Sequence, residues 1–443
     1  MNRIDTTHSS FSFQDLEGVP AMEAVISACR SMEDRKLYDV IDFRQKVVNR
    51  WSIPAIPMPR ALTAMTETLP QRALPLQLSH QNYLNFLLTP HVAQLSESGM
   101  LLIAMNNGFF IPRIDTKNNQ TTLFPEDYAE RLMLYTATGD FFPRDGRWLF
   151  VRWPLQQAME ILLGHQSEAD CEIGAMDPLT GAIEILYRIT ASDVIHQVTS
   201  SPDGRYLVFT SFQARPVIPY PQATPEQDPE GFRRSHEAGM HKERMVTIDL
   251  VTGRHWRTEI PVPVPAHFEF DPVDPWVFYV SAHHFSWSGS HANIVLEGPA
   301  ALLKMRILAS GATVVERSYS DPLFFRITQH MPFRRQGVTL IAVTTIPNKL
   351  DLIEAATMTL WRRVEYFAHP PIDFSRTGNA MCPKHPQMCL NVCPSADGRY
   401  VILESHTYFL VYDVDQDCFL DSKPPLFLPQ KAGRVGHTRM VGQ

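Results

Sequence analysis

Ser201-Pro-Asp-Gly-Arg-Tyr-Leu-Val-Phe209 is a tight turn feeding an aromatic and β-branched run, and the chain writes it more than once. Pro394-Ser-Ala-Asp-Gly-Arg-Tyr-Val-Ile402 repeats the phrase far downstream, and Phe142-Pro-Arg-Asp-Gly-Arg-Trp-Leu-Phe150 carries it upstream. Asp-Gly between β-formers is a strong short-range sign of a hairpin. Weaker versions stand at Glu97-Ser-Gly-Met-Leu-Leu-Ile103, Val273-Asp-Pro-Trp-Val-Phe278 and Arg335-Gln-Gly-Val-Thr-Leu-Ile341. The turn residues Gly99, Gly146, Gly204, Pro275, Gly337 and Gly398 are 47, 58, 71, 62 and 61 positions apart. A repeat of that size, long enough for four strands, predicts the blade of an all-β fold, the β-propeller.

The rest of each unit fits four strands. A third strand ends in an Asp-rich turn at Ile173-Gly-Ala-Met-Asp-Pro-Leu-Thr-Gly181, Val246-Thr-Ile-Asp-Leu-Val-Thr-Gly253 and Leu410-Val-Tyr-Asp-Val-Asp415. The Asp-x-x-Thr-Gly form supplies a glycine at positive φ. A fourth strand follows, as in Ala182-Ile-Glu-Ile-Leu-Tyr187. Six units are readable; seven blades are preferred, the seventh assembled from the N-terminal segment and the C-terminal tail, with six as the alternative. Residues 86–443 are expected to form the propeller. Residues 1–85 are expected to form a helical extension packed on it, because Met22–Arg30 and Leu37–Val48 carry apolar residues at helical spacing. Ile53-Pro-Ala-Ile-Pro-Met-Pro59 breaks any helix after them.

The 443 residues fit one closed propeller, and 44% hydrophobic with 20% charged residues describes a folded protein. A net charge of −7 argues against a nucleic-acid or anionic-membrane partner, which would need a basic surface. No apolar run is long enough for a spanning helix, the start lacks the apolar core of a secretion signal, and six cysteines make no disulfide framework. A cytoplasmic location and a small-molecule substrate are expected.

Histidines recur at fixed distances from the turns. In a blade the first strand is innermost, so its start lies on the face opposite the Asp-Gly turn, together with the end of the second strand. His196 and His267 stand eight positions before Gly204 and Pro275, and His330 seven before Gly337, with Gln329 at eight. His283 and His406 stand eight after Pro275 and Gly398. These residues, from four blades, are expected to converge at one mouth of the channel. Imidazoles there either face channel water or hold a divalent transition metal: manganese, iron or zinc. Cys382-Pro-Lys-His385-Pro-Gln387-Met-Cys389-Leu-Asn-Val-Cys393 precedes another inner strand. Cys382 and His385 are its better ligand candidates, while Cys389 and Cys393 also read as small core residues. The insertion from Phe212 to Lys242 lies over the same mouth, and its basic run, including Arg234, either contacts an acidic substrate or is a solvated face.

The turn phrases resemble the propellers with Ser-Pro-Asp-Gly turns, the class of TolB-like domains and oligogalacturonate lyases. The latter are seven-bladed and bind manganese through histidines and a glutamine near the channel mouth. Ala282-His-His284 looks like that family's histidine at the end of a second strand. Thr328-Gln-His-Met-Pro-Phe333 looks like its Thr-His-x-Phe phrase, and His385-Pro-Gln-Met-Cys389 like its His-Pro phrase, with Gln387 where the family has a second histidine. The resemblance implies metal ligands at His283 or His284, His330 and His385; outside it, the count from the turns adds His196 and His406 as geometrically equivalent candidates and His267 as auxiliary ligand or base. The resemblance also implies a lyase- or isomerase-like step in which the metal acts as Lewis acid. A non-catalytic interaction scaffold is the rival expectation.

Overall fold

The computed structural model describes residues 25–54, 90–124, 133–157, 169–213, 243–296, 300–366, 389–420 and 426–438, less some positions in their turns and loops. Almost all of them are strand. Seven sheets of four or five strands follow one another along the described chain, with one further two-stranded hairpin, Phe285–Ser288 with Asn293–Leu296. On the axial side stand Val25–Ser31 in sheet 1, edged by Gly433–Val435, and Pro90–Leu95 in sheet 2, edged by His437–Thr438, then Met133–Phe142 in sheet 3 and Asp193–Ser200 in sheet 4. Val264–Phe270, Arg326–Arg335 and Cys389–Pro394 hold the same place in sheets 5, 6 and 7. Successive members of this series pack on one another from sheet 1 to sheet 7, and His437–Thr438 packs on both Cys389–Pro394 and Val25–Ser31, which is the arrangement of a β-propeller. Among the described residues no helix is long and apolar enough to cross a membrane.

Period-two alternation builds the core, because each sheet is buried on both faces by its neighbours. In the second strand of sheet 5, Phe278, Val280 and Ala282 pack with Val208 and Met245 of sheet 4, while Val277 and Tyr279 pack with Ile341 and Val343 of sheet 6. Sheet 6 alternates likewise, its Leu340 and Ala342 meeting Val401 and Leu403 of sheet 7. A one-residue slip in any of these strands would exchange its two partners.

The recurrent phrase is a hydrogen-bonded device. Ser201 Oγ donates to Asp203 Oδ1 at 2.6 Å and accepts from the Tyr206 N–H at 2.8 Å. Arg205 then reaches Asp249, at the end of the third strand, at 2.8 Å. Sheet 7 repeats it with Ser395 to Asp397 at 2.6 Å and Arg399 to Asp413 at 3.0 Å. The turn thus ties first, second and third strands together. The weaker copy at Gly337 is a two-residue turn with φ of 48° at Gln336 and 83° at Gly337, the primed form that matches strand twist.

Two expectations follow from these ion pairs. The Arg205 guanidinium holds the Asp249 carboxyl below its ordinary range against the opposing pull of burial. Burial raises Asp413, but backbone N–H bonds from Gln416 and Asp415 and the Arg399 guanidinium outweigh it, so it too is lowered. A carboxyl depressed on folding contributes stability above its unfolded pKa of about 3.9 and loses it as the pH falls through the folded value. Denaturant midpoints should therefore drop below about pH 4, and Asp249→Asn with Asp413→Asn should flatten that acid limb. Between sheets 5 and 6, Asp351 is fully buried and bridges Arg363 at 2.7 Å, with Tyr319 Oη donating to it at 3.0 Å. Arg363 also meets Asp321 at 2.7 Å. Asp351→Asn keeps the shape but removes the charge, and should cost about 2 kcal/mol in urea unfolding.

The N-terminal segment differs from expectation. Residues 25–54 are three strands, Val25–Ser31, Arg35–Asp42 and Val47–Pro54, not helices. They join Gly433–Val435 as sheet 1, so N-terminal and C-terminal segments share a sheet. Leu37-Tyr-Asp-Val-Ile-Asp42 satisfies a helical spacing, but its β-branched residues gain more from pairing on both sides, with Val25–Ser31 and Val47–Pro54. Residues 1–24 and 55–89 of the expected extension lie outside the described residues.

Candidate functional site

An irregularity shared by the inner strands sets the site. In sheets 2 to 7 the pairing of first with second strand shifts register, between Pro90 and Val92, Ala137 and Phe141, His196 and Thr199, Ala266 and Phe268, Ile327 and Gln329, and Cys389 and Asn391. A bulge leaves extra residues in one strand and re-aims side chains, a device found at barrel rims and active sites.

His267 is itself the bulged residue of sheet 5, with φ of 55°. A non-glycine residue in the left-handed region costs backbone energy that surrounding structure must hold in place. His330, from the next inner strand, is fully buried and stands opposite Val343 just past the bulge of sheet 6. The two imidazoles lie edge to face, with centroids 6.4 Å apart and planes at 87°. A ring centroid sits about 3 Å from an ion bound through its nitrogen, so one ion could be shared only if the two rings closed by rotation from their 6.4 Å separation. Beside them Gln329 is 6% exposed, and its Oε1 has no hydrogen-bond partner among the described residues. An orphaned buried oxygen next to paired imidazoles suits a cation.

His196 lies on the inner strand of sheet 4, opposite Thr210 at the edge of its bulge. His283 ends the second strand of sheet 5, opposite Val264. His284, His385, His406 and Arg234 lie outside the described residues, as does Cys382. Cys393 is buried in the inner strand of sheet 7, as its core reading has it. Among the described residues no three His, Cys, Asp or Glu side chains are grouped as a metal set.

Two inner-strand histidines escaped the count from turns. His91 falls where the register of sheet 2 shifts, the counterpart of His267. His437 lies on His437–Thr438, which pairs with Pro90–Leu95 and sets His437 opposite Val92. The tail carries no Asp-Gly turn from which His437 could be counted. His91 stands eight positions before Gly99, the same interval as His196 and His267, and was readable by the same rule.

No family model matches the chain, and no curated protein sequence does. Solved structures do. An ACO/RPE65 chimera is similar at 12% identity and a TM-score of 0.52, over 98% of this chain and 100% of that one. The β-propeller domain of Cps50 (Swd1) from Myceliophteria thermophila is similar at 10% identity and a TM-score of 0.46, over 86% and 93%. TolB from Acinetobacter baumannii is similar at 12% identity and a TM-score of 0.38, over 94% and 82%. The shared property is the fold: the chain is a β-propeller.

Proposed function

We propose that this propeller is a metal-dependent enzyme whose centre is held by imidazoles from the inner strands, His196, His267, His330 and His437. The observation that carries the reading is the contact of His267 with His330, one of them on a left-handed bulge, across two neighbouring sheets. Neutral nitrogen donors suit iron or zinc, whereas manganese prefers carboxylates and carbonyls. His283, on the second strand of sheet 5, is left outside this ligand set.

A metal bound there would act as a Lewis acid at an open coordination position. Four neutral ligands leave its charge uncompensated, which favours an anionic partner, a small acidic molecule. Arg234, in the insertion that the sequence leads one to expect near the mouth, would pair with its carboxylate and orient it for a lyase- or isomerase-like step. A second reading, oxidative chemistry at iron, rests on the same all-nitrogen set. The two separate on whether turnover consumes dioxygen.

Metal analysis of protein expressed with iron, zinc and manganese supplied tests the reading. About one equivalent of iron or zinc is expected. Less than about a tenth of an equivalent would leave a binding scaffold with hydrated channel histidines as the better account.

A further inference from the structure

We propose a binding site for an ω-amino acid on the outer strands of sheet 3, independent of the inner-strand histidines. Ala169–Met176, the third strand of that sheet, carries Asp170 and Glu172, two residues apart and so on one face. Glu172 stands opposite Arg152 of the second strand and Arg188 of the fourth, and Asp170 opposite Thr190 of the fourth. Arg152 Nε donates to Glu172 Oε2 at 2.8 Å and Arg188 Nε to Oε1 at 3.0 Å, so one carboxylate holds two guanidinium groups. In the next row Thr190 Oγ1 donates to Asp170 Oδ1 at 3.1 Å. Together with Pro154 the two rows line the described wall of a cleft of about 600 Å³. Tyr187, one residue before Arg188, points the other way and meets His255 of sheet 4 at 2.8 Å. The cleft therefore lies on the flank of sheet 3 away from sheet 4.

Charge divides this wall in two. Glu172 neutralises one of its two arginines, which leaves one positive charge in the first row, and Asp170 leaves one negative charge in the second. Burial pushes the Glu172 carboxyl up, but the bonds from Arg152 and Arg188 outweigh it, so it stays ionised and holds both guanidinium planes. The Arg188 side chain is 73% exposed, and among the described residues its guanidinium has Glu172 as its one partner, through Nε. Its paired Nη groups remain a fork for a carboxylate. Asp170 Oδ2 has no partner among the described residues, and a bare carboxylate oxygen suits an ammonium. A ligand of one sign would face one repelling row, whereas a zwitterion satisfies both. Rows two residues apart stand about 6.8 Å from each other along the strand. Four methylenes between carboxylate and ammonium span about that distance when extended. Pro154 and the aliphatic stems of the arginines offer the methylenes apolar contact.

Titration calorimetry of the full chain with 5-aminopentanoate, in chelator so that no inner-strand ion takes part, tests this. Binding with a Kd below about 1 mM is expected. Pentanoate and pentylamine each carry one of the two charges, and glycine holds both too close together; each should bind at least about tenfold more weakly. Arg188→Gln and Asp170→Asn should each weaken binding at least about tenfold. Both side chains are exposed, so both variants should keep the wild-type urea midpoint. Arg254→Gln, on the outer strand of sheet 4, should bind as wild type does. Pentanoate binding as tightly as 5-aminopentanoate overturns the zwitterion. No binding up to about 10 mM, or equal affinity in Arg188→Gln and wild type, overturns the site.

Discussion

Gly398→Ala will destabilise the protein by about 4 kcal/mol, whereas Gly146→Ala, at the same place in another copy of the turn, will cost about 1 kcal/mol. Both glycines have positive φ, 66° and 71°, so both substitutions carry the left-handed penalty of an L side chain. They differ in surroundings. A Cβ on Gly146 meets nothing within 4 Å, but one on Gly398 falls 2.0 Å from the Arg334 carbonyl oxygen and 2.9 Å from the Phe333 ring. Backbone cannot rotate away as a side chain does, so the turn of sheet 7 must lift off sheet 6. That lift reaches the core, because Phe333 and Leu340 pack with Val401 and Leu403 across the same junction. It also strains the bonds from Arg335 to Asp415 and to the Asp397 carbonyl oxygen. Urea unfolding of the two variants against wild type measures the difference. Equal losses would mean that sheets 6 and 7 are not seated on each other here.

What was legible in the sequence was whatever a short segment determines by itself. The Ser-x-Asp-Gly-Arg device closes its hydrogen bonds within six residues, apart from the arginine's reach to the third strand, so the phrase at 201–206 and 395–400 announces a hairpin wherever it stands. Counting from those turns placed His196, His267 and His330 on inner strands, since antiparallel pairing converts sequence distance into height along the blade. That the two ends of the chain share a unit was legible, but the N-terminal strands of sheet 1 were read as helix, because their inner partner, Gly433–Val435, comes from the other end of the chain. Val25, Ile26 and Cys29 fit a helical stripe as well as they fit a strand until that partner is supplied. Bulges were invisible for a related reason. Whether His267 pairs or is skipped depends on how Ala266 and Phe268 register with Ser281 and Val280, which no local pattern encodes.

His330→Ala should lower metal affinity by at least ~100-fold while leaving a folded propeller, and His255→Ala should leave affinity at the wild-type value. The contrast is chosen for burial and place. His330 is fully enclosed against His267 on an inner strand, and an enclosed imidazole is costly to remove from a ligand set because no neighbouring side chain or bulk water can take its position. His255 lies on an outer strand, where Tyr187 Oη meets its Nδ1 at 2.8 Å, and it is remote from the channel edge. Loss of packing alone would lower stability in His330→Ala without being specific to the ion. His330→Gln separates the two effects, since it restores much of the volume and offers a single weaker donor. Affinity should then recover only in part while stability recovers more. The bulge at His267 adds a second check. His267→Gly relieves a φ of 55° and should raise stability in chelator, because glycine takes that conformation without the cost an L side chain carries. A variant that is more stable without metal and binds it more weakly is the signature of a residue positioned for a ligand. Unchanged affinity in both His330→Ala and His267→Gly would move the ion, if one binds, away from the inner strands and return these histidines to the core.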